Sequence, residues 1–384
     1  MSEYDVIVAG VGGMGSATVA ELSARGARVL GLDRADIPND QGSSHGVNRI
    51  IRLAYAEDPR YVPLLRRAYE RWRELEARLG EPILVITGGL DIGRPESDTV
   101  TGAMASAREH GLAHELLEAA EVRARYPGLV LPEDLVAVYQ PDGGFVLSER
   151  AIAGHARLAL EAGAELHGRE PVTSWDIAGD GVVVRTSMAE YRARRLIISA
   201  GAWVGKLVEP LAPVALPERQ VLLWAQTRRP ELFTPEALPI FILDVDEGLF
   251  YGFPEYGIPG LKIGKMHHRR QSVDPDDWDR SLIEPEDEAV LRLATSRYLP
   301  DAGGATLSLK TCMFTNTPDE HFVIDRLPEA PSVTVVSPCS GHGFKFASVI
   351  GEIAADLALD GGTGHDIEMF RIDRFDGMGA GGMT

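Results

Sequence analysis

A glycine turn near the start of the chain could bind a phosphate-rich ligand. Gly10, Gly12 and Gly15 form a G-x-G-x-x-G turn after an apolar run, and Asp33 follows the next apolar run. Glycines let backbone N–H groups approach a pyrophosphate at the positive end of a helix, and an acid at this distance accepts hydrogen bonds from a ribose. The pattern predicts a dinucleotide site without deciding between FAD and NAD. Arg34, beside Asp33, leaves room for a 2′-phosphate.

The basic residues are unevenly distributed between the two types. Of the 38 basic residues, five are lysines and the other 33 are arginines. A lysine retained in such a chain indicates a role that a planar, always protonated guanidinium cannot fill. Four of the five lysines lie between residues 262 and 345, namely Lys262, Lys265, Lys310 and Lys345, and the fifth is Lys206.

Two further stretches present small residues next to predicted strands. Ala200-Gly201-Ala202-Trp203 follows an apolar strand and could give a second backbone contact to the nucleotide. Near the end of the chain, Ser340-Gly341-His342-Gly343-Phe344-Lys345 leads through two glycines into a helix. Its N-terminus is a second place where N–H groups face negative charge. Two such sites favour FAD over NAD.

The predicted secondary structure around these residues changes along the chain from strands and helices to consecutive strands. The start reads as strand, helix and strand, and Tyr61–Leu79 reads as an amphipathic helix that ends at Gly80. Arg49 and Arg52 lie three residues apart, and a helical turn would place both on one face. From residue 220 to residue 264 strands follow one another without helices, which predicts an antiparallel sheet in a second domain.

Composition restricts the function classes. The chain has 384 residues, 45% hydrophobic and 25% charged, which is typical of a globular protein of two domains. The net charge of −19 argues against nucleic acid and anionic membranes as partners. Cys312 and Cys339 give neither a disulfide framework nor metal-ligand spacing, so we expect no metal. Without an apolar run of membrane-spanning length or a signal peptide, the expected location is cytoplasmic.

Taken together, the motifs resemble one family closely and over nearly the whole chain. The matching stretches, beyond the glycine turn with Asp33, are GSSHG-x-x-R-I-I-R (42–52), YGFP (251–254), GLKIG (260–264), KTCMFT (310–315), PDEHFVID (318–325) and SGHGFKF (340–346). The chain resembles the monomeric sarcosine oxidase family, which includes N-methyltryptophan oxidase and is part of the D-amino-acid-oxidase-like flavoproteins.

The resemblance implies an α/β fold, α+β overall. It has a Rossmann-type FAD-binding domain of the glutathione-reductase/D-amino-acid-oxidase type and a substrate domain built on an antiparallel sheet. We expect the FAD-binding domain to be discontinuous, with residues 1–85, 140–215 and 306–384. Residues 86–139 and 216–305 then form the substrate domain.

The resemblance also implies roles for particular residues. The expected catalytic residues are Lys262, Arg49, His45 and His267, and the expected substrate-binding residues are Arg52, Lys345, Tyr251 and Phe314. The expected FAD-binding residues are Gly10, Gly12, Gly13, Met14, Gly15, Asp33, Arg34, Ser43, Ser44, Arg49, Ile50, Val172, Ala200, Gly201, Trp203, Cys312, Gly341, Gly343, Phe344 and Lys345.

Some of these roles have a physical basis. Cys312 matches the residue that attaches FAD covalently through a thioether to the flavin 8α-methyl, and a nearby Arg49 or Lys310 could stabilise its thiolate. Arg52 and Lys345 match the pair that holds the substrate carboxylate. Lys262 matches a lysine beside flavin N5 that stabilises superoxide as it forms from O₂.

Two positions depart from the family pattern. Phe314 stands where sarcosine oxidases have Tyr. The loop after Gly264 is one residue longer, so the active-site His is His267 or, as the weaker alternative, His268. Both positions border the substrate pocket, so they bear on the substrate rather than on the chemistry.

The implied activity is FAD-dependent oxidative demethylation of sarcosine, with O₂ and water, to glycine, formaldehyde and H₂O₂. A bulkier N-methyl amino acid, such as N-methyltryptophan, or a cyclic imino acid, such as pipecolate, is the alternative within the family. Outside it, a flavin-free NAD(P)-dependent dehydrogenase and a non-catalytic nucleotide-binding protein remain open. The expected partners are a small secondary amino acid and O₂, and the expected state is a monomer.

Overall fold

A computed structural model describes residues 3–338 and 340–376 of the chain. Cys339, the second cysteine, lies outside the described residues. The strands are β1 (Tyr4–Ala9), β2 (Val29–Leu32), β3 (Asn48–Ile51), β4 (Leu84–Ile86), β5 (Gly89–Gly93), β6 (Glu115–Glu118), β7 (Val136–Gln140), β8 (Gly144–Leu147), β9 (Glu165–His167), β10 (Val172–Ala178), β11 (Gly181–Thr186), β12 (Glu190–Ile198), β13 (Leu216–Ala225), β14 (Ile240–Val245), β15 (Gly248–Phe253), β16 (Leu261–Lys265), β17 (Thr306–Asn316), β18 (Val323–Leu327) and β19 (Ala330–Ser337).

The α-helices lie between groups of these strands. They are α1 (Gly13–Ala24), α2 (Val62–Leu79), α3 (Asp98–Glu109), α4 (Ala119–Arg125), α5 (Ser148–Glu161), α6 (Val204–Leu207), α7 (Pro285–Tyr298) and α8 (Ala347–Leu359). Short 3₁₀ turns lie at Pro59–Tyr61, Gly201–Trp203, Glu209–Leu211, Pro230–Leu232, Pro300–Ala302, Phe344–Phe346, Glu368–Phe370 and Ile372–Phe375.

The first sheet is built around the start of the chain. Its order is β10-β11-β12-β1-β2-β9, and β19 joins the far half of β12 and pairs with β18. The strands β12, β1, β2 and β9 run parallel. Helix α1 packs between α5 and α8 on this sheet. β1 is an almost wholly buried apolar strand, as expected for a parallel strand covered on both faces.

The second sheet has the order β17-β13-β16-β15-β14-β5-β7-β6. Its pairs are antiparallel except for β14 with β5. This confirms the antiparallel sheet predicted from consecutive strands. A separate apolar core, which includes Phe233, Phe241 and Phe250, lies against it. Together the two sheets give the α/β fold with an antiparallel second sheet that the sequence predicts.

A small third sheet, β3-β8-β4, connects the nucleotide side to the rest of the molecule. The segment of Arg49 and Arg52 is not a helical turn, because Asn48–Ile51 forms strand β3, paired with β8. Arg49 lies within the strand and Arg52 directly follows it. The amphipathic helix is confirmed as α2, which ends at Gly80 in a left-handed conformation with φ +71°.

The division into domains stays a proposal. Strand β17, which we expected in the FAD-binding domain, pairs along its whole length with β13 of the second sheet. We therefore propose that the last boundary follows Asn316 rather than preceding Thr306. Within residues 3–338 and 340–376, none of the helices has the length and apolar character needed to cross a bilayer.

Candidate active site

A cavity of about 470 Å³ opens where β1 and β2 end, and the glycine turn lines it. Gly10 has φ +98°, a conformation that favours glycine. A Cβ on Gly15 would lie 1.7 Å from the Gly10 carbonyl oxygen, so only glycine fits there. The turn brings the N-terminus of α1 to the cavity, where its N–H groups and helix dipole favour an anionic group.

Asp33 follows β2 at the wall of this cavity. Its Oδ2 accepts a hydrogen bond from the Val11 N–H (2.7 Å) and its Oδ1 accepts one from the Ala35 N–H (2.9 Å). Burial raises the pKa of the carboxyl, and the two backbone donors oppose that rise. Oδ1 also accepts a long hydrogen bond from Asn39 Nδ2 (3.5 Å), whereas Oδ2 keeps a further lone pair. The backbone thus fixes the carboxylate while leaving it able to accept from a ligand hydroxyl.

A second cavity, of about 640 Å³, lies beside the first. Four residues line both cavities: Arg49, Phe314, Gly341 and Phe344. A Cβ on Gly341 (φ +78°) would lie 2.6 Å from the Phe314 ring. A side chain at Gly341 would therefore clash with Phe314 at residues that both cavities share.

Most of the predicted cofactor residues surround the first cavity. Gly15 lies behind the turn, and Ile50, Cys312 and Lys345 line the second cavity instead. The first cavity is lined by Gly10, Gly12, Gly13, Met14, Asp33, Arg34, Ser43, Ser44, Arg49, Val172, Ala200, Gly201, Trp203, Gly341, Gly343 and Phe344.

These features fit FAD. The two joined cavities suit a long ligand with a charged middle, and the turn supplies backbone donors for a pyrophosphate. His45 is only 3% exposed, yet neither ring nitrogen has a hydrogen-bonding partner among the described residues. His45 is not among the described lining of either cavity, and its described influence is on the Cys312 thiol, whose pKa it helps to lower.

Cys312 lies on β17 within reach of cationic groups. Its Sγ is 3.7 Å from Arg49 Nη2, and the side chain is 2% exposed. Burial raises the pKa of the thiol, but His45 and Arg49 more than offset this and lower it to about 7. A thiol with such a pKa is substantially thiolate at neutral pH, the form that acts as a nucleophile.

Arg52 is buried at the inner end of the second cavity between two carboxylates. Its Nε donates to Asp91 Oδ1 (3.0 Å) and its Nη2 donates to Glu57 Oε2 (3.1 Å). Asp91 is fully buried and also accepts from Gln140 Nε2 (2.8 Å). Glu57 lines the cavity, with 31% of its side chain exposed. Asp91 therefore fixes Arg52 from behind, while Glu57 occupies its cavity side.

Lys345 lies beside Arg52 and is 4% exposed. Its Nζ donates to the His342 carbonyl oxygen (2.7 Å) and to Tyr55 Oη (3.4 Å). Burial lowers its pKa to about 7; Glu57 acts to raise the pKa, and Arg52 lowers it further. Two cations thus converge on one end of the cavity, and they can bind one carboxylate.

Lys262 is buried beneath the junction and fully hydrogen-bonded. Its Nζ donates to the carbonyl oxygens of Gly46 (2.8 Å) and Asn48 (2.7 Å) and to Asn48 Oδ1 (2.8 Å). Burial and nearby Arg49 hold the pKa of Lys262 well below its ordinary value. Lys262 does not belong to the described lining of either cavity. Its role beside a flavin stays a prediction.

The two histidines of the longer loop point to different places. His268 is buried against Asp287, with Nε2 3.2 Å from Oδ1. The Nε2 of His267 lies 3.0 Å from Oε1 of Glu320, which lines the second cavity. Ion pairs with Glu218 and Glu320 raise the pKa of His267 to about 9. Of this loop, Met266 rather than either histidine contributes to the described cavity wall.

The remaining predicted substrate residues form an apolar wall. Tyr251 and Phe314 line the second cavity, and burial raises the pKa of the Tyr251 hydroxyl so that it stays protonated. The wall around them consists mainly of side chains without charge: Ile50, Leu222, Ile242, Leu249, Phe253, Met266 and Phe344.

Sequence reasoning missed several groups that shape this end of the site. Asp91 reaches Arg52 from β5, and nothing in the sequence links the two positions. Glu57 and Tyr55 carry only the weak signal of lying just after Arg52. Arg34, which we expected to contact FAD, forms an ion pair with Asp276 (2.8 Å) and lies over the Trp203 ring.

Comparison with known proteins gives consistent similarities. The chain matches the DAO family, described as FAD dependent oxidoreductase, over residues 5–357. It is 47% identical to the monomeric sarcosine oxidase of Streptomyces avermitilis over 371 residues, which cover 96% of each chain. It is 37% identical to the N-methyl-L-tryptophan oxidase of Citrobacter koseri over 374 residues, 97% of this chain and 99% of the relative.

Solved structures show the same fold. NikD, an unusual amino acid oxidase essential for nikkomycin biosynthesis, matches in its open form with a TM-score of 0.84 at 26% identity, covering 97% of this chain and 98% of NikD. The L-proline dehydrogenase from P. horikoshii matches with a TM-score of 0.84 at 22% identity and 98% coverage of both chains, which supports the fold alone.

Proposed function

The chain belongs to the family of FAD-dependent oxidoreductases that contains the monomeric sarcosine oxidases, and from this premise we propose that it demethylates sarcosine. Membership makes the protein an FAD-dependent amine oxidase and replaces the NAD(P) chemistry that the glycine turn alone left open. The observation that carries the substrate class is the convergence of Arg52 and Lys345 on one end of the second cavity.

When bound, FAD would take a hydride equivalent from the N-methyl carbon while the amine loses a proton, and O₂ would take up the two electrons and two protons as H₂O₂. The residues of the chain orient the substrate for this step. Arg52 and Lys345 hold its carboxylate, which replaces Glu57 at the Nη2 of Arg52. Asp91 keeps the guanidinium in position during that exchange. Water hydrolyses the resulting imine, so sarcosine, O₂ and water give glycine, formaldehyde and H₂O₂.

Cys312 is the residue for covalent attachment in this proposal. When FAD is bound, Cys312 Sγ would bond to the flavin 8α-carbon, with loss of the thiol proton and one methyl hydrogen and with O₂ as the two-electron oxidant. His45 and Arg49 support the step because they favour the thiolate. Denatured protein should carry yellow colour through precipitation, and Cys312→Ser should lose it while still binding FAD.

Lys262 is the proposed site for stabilising negative charge on oxygen. The state is proposed to be monomeric and the location cytoplasmic.

A second candidate substrate is an N-methyl amino acid with an apolar side chain. The cavity of about 640 Å³ exceeds the need of sarcosine, and Phe314 and Met266 add apolar surface rather than hydrogen-bonding groups. Such a wall favours burial of a larger side chain by about 25 cal/mol per Å² of apolar area. The relationship to an N-methyl-L-tryptophan oxidase supports this alternative.

The test is anaerobic mixing of the holoenzyme with sarcosine while the flavin absorbance is followed. Bleaching with sarcosine, absent with glycine as the matched control, supports the first proposal. Parallel mixing shows how the rate of bleaching depends on side-chain size while the carboxylate stays the same. The substrates are N-methyl-L-alanine, N-methyl-L-phenylalanine, N-methyl-L-tryptophan and L-pipecolate. Faster bleaching with the larger substrates than with sarcosine supports the second candidate, and no bleaching with any of them contradicts both.

A further inference from the structure

Two buried residues next to the carboxylate end have no part in the proposed reaction. Tyr55 is fully buried and His342 is 9% exposed. The Tyr55 hydroxyl lies 2.5 Å from His342 Nδ1, and the other ring nitrogen, Nε2, lies 2.8 Å from the carbonyl oxygen of Glu320. Tyr55 Oη also accepts a hydrogen bond from Lys345 Nζ (3.4 Å). These contacts form a continuous chain from Glu320 to Lys345.

The direction of each hydrogen bond in this chain follows from the groups present. A carbonyl oxygen only accepts, so the Nε2 of His342 carries the hydrogen that it donates to Glu320. Burial lowers the pKa of His342 to about 4, so the ring is neutral and Nδ1 has a lone pair. Nδ1 must then accept from the Tyr55 hydroxyl. The hydroxyl hydrogen therefore points away from Lys345, and a lone pair points toward it.

This orientation matters for Lys345. With the opposite histidine tautomer, Nδ1–H would donate to Tyr55 and the hydroxyl hydrogen would turn toward the ammonium. The Lys345 ammonium would then lose one of its two hydrogen-bond acceptors in a buried site, where such a loss is costly. The main-chain oxygen of Glu320 thus sets the tautomer of His342, and this tautomer leaves the Tyr55 hydroxyl able to accept a hydrogen bond from the Lys345 ammonium.

The same carbonyl belongs to the loop at the cavity mouth. Asp319, Glu320 and His321 all line the second cavity, and Glu320 has φ +59°, an unfavourable backbone conformation for a residue with a side chain. Its carboxylate is paired with His267 at 3.0 Å. Such strain persists only where the surroundings hold it in place. The bonds from His342 and His267 hold it here, together with the bond from the Glu320 N–H to the Thr317 carbonyl oxygen (3.1 Å).

We propose that Tyr55 and His342 are positioning residues for carboxylate recognition: His342, oriented by the Glu320 carbonyl, makes the Tyr55 hydroxyl an acceptor that holds the Lys345 ammonium toward the substrate carboxylate. The inference rests on the proposed function, because it takes Lys345 as a carboxylate-binding residue. It assigns no contact with substrate or flavin to either residue. It predicts that their loss weakens binding of the carboxylate more than it slows flavin reduction.

Tyr55→Phe tests the first link, with Tyr61→Phe as the matched control. Tyr61 is also fully buried, its ring lies 5.1 Å from that of Tyr55, and its hydroxyl pairs with His321 Nδ1 (3.0 Å) rather than with Lys345. The probe is trimethylglycine, a carboxylate without an oxidisable amine lone pair, titrated into each holoenzyme while the flavin spectrum is followed. We expect Tyr55→Phe to raise the Kd about tenfold and Tyr61→Phe to leave it within about twofold. Equal changes in both variants, or none in Tyr55→Phe, overturn the proposal.

His342→Asn and His342→Leu test the second link. The asparagine side chain offers an acceptor oxygen near the position of Nδ1, whereas leucine offers none. We expect the Kd for trimethylglycine to stay within about threefold in the first variant and to rise about tenfold in the second. The limiting rate of bleaching by sarcosine should change less than the Kd in both. Equal weakening in the two variants shows a structural role and overturns the proposal.

Trimethylglycine also separates this inference from the proposed function. A wild-type protein that binds trimethylglycine but does not bleach with N-methyl amino acids contradicts the oxidase proposal while leaving the positioning test intact. A wild-type protein that bleaches with sarcosine, but whose Tyr55→Phe variant binds as the control does, contradicts only the inference. A wild-type protein that does neither overturns both.

Discussion

The proposed nucleotide end of the site, around Gly10–Gly15 and Asp33, and the proposed carboxylate end, around Arg52 and Lys345, are built in opposite ways. At the nucleotide end the glycine turn, the helix N-terminus and the Asp33 carboxylate come from one continuous stretch, and backbone N–H groups fix that carboxylate. At the carboxylate end two cations, Arg52 and Lys345, come from distant segments and are compensated by Asp91 and Glu57. A backbone surface depends on shape, whereas a buried charge network depends on every partner.

The difference has consequences for what each end tolerates. A close backbone approach fails when a Cβ is added, while the exposed side chains around it contribute little. A buried ion network fails when one partner is removed, because the remaining charge has no partner. Three substitutions and one pH profile, ordered from the largest expected effect, test whether the two ends behave in these separate ways.

Gly15→Ala should have the largest effect. Its Cβ would lie 1.7 Å from the Gly10 carbonyl oxygen, so β1 and α1 must separate, which we expect to cost about 3 kcal/mol or more of the free energy of unfolding. Gly12→Ala is the matched control, because a Cβ there meets no atom within 4 Å although Gly12 lines the cavity. It should fold as the wild type does and bind FAD more weakly. Thermal unfolding of the apoprotein and FAD titration measure both; equal stabilities would contradict the close-approach argument.

Arg52→Gln should leave the nucleotide end intact. It removes a cation from the carboxylate site and leaves Asp91, which is fully buried, without its charged partner. We expect about 3 kcal/mol of destabilisation and a fall of about a hundredfold in kcat/KM for sarcosine. The bound flavin spectrum should be unchanged. Arg67→Gln, at an ion pair outside the cavities, is the control and should alter neither kcat/KM nor FAD content. Loss of FAD from Arg52→Gln would contradict the independence of the two ends.

Sequence reasoning succeeded where the signal was local. The Gly10–Gly15 turn, Asp33, helix α2 and the consecutive strands β13 to β16 could be predicted because periodicity and turn residues reside in short stretches. Arg49 and Arg52 show the limit: their spacing suggested a helical turn, but pairing with β8 made the segment a strand. Tertiary pairing overrides local preference in such short segments.

The residues of the carboxylate end could be predicted only through family resemblance, and only some of them. The roles of Arg52 and Lys345 stay predictions from matching motifs. Asp91, Glu57 and Tyr55 were not predicted, because their contacts join residues far apart in sequence or lack any motif. The extra residue after Gly264 left His267 and His268 as alternatives. In the fold Met266 takes the cavity position, because His268 is held by Asp287 and His267 by Glu218 and Glu320.

The carboxylate end should also respond to pH near neutrality. Burial lowers the pKa of Lys345 to about 7, with Glu57 opposing and Arg52 adding to the shift, and only the ammonium form binds a carboxylate. Because the proton is lost above this pKa, the Kd for trimethylglycine should rise about tenfold per pH unit above pH 7 and level off below it. His342, with a pKa of about 4, stays neutral throughout.

The control for this profile is Lys345→Met. The Cys312 thiol also has a pKa of about 7, and Tyr55 and Asp91 are the other ionisable groups around Lys345. Trimethylglycine itself does not titrate between pH 6 and pH 9, so any slope belongs to the protein. A flat profile in Lys345→Met assigns the slope to Lys345. A slope that persists in this variant would assign it to another group and contradict the prediction.

Arg34→Ala should have the smallest effect and gives the sharpest test of the nucleotide end. Arg34 lines the first cavity, but its side chain is 36% exposed and is paired with Asp276, itself 40% exposed. Exposed ion pairs contribute about 0–1 kcal/mol, so FAD affinity should change by no more than about fivefold. The titration is made in a Cys312→Ser background so that binding is reversible, with Asp33→Asn as the comparison. Asp33 is fixed by two backbone donors, so Asp33→Asn should weaken FAD binding more than Arg34→Ala. If Arg34→Ala were the more damaging change, the nucleotide end would depend on side-chain charge as the carboxylate end does, and the contrast between the two would not hold.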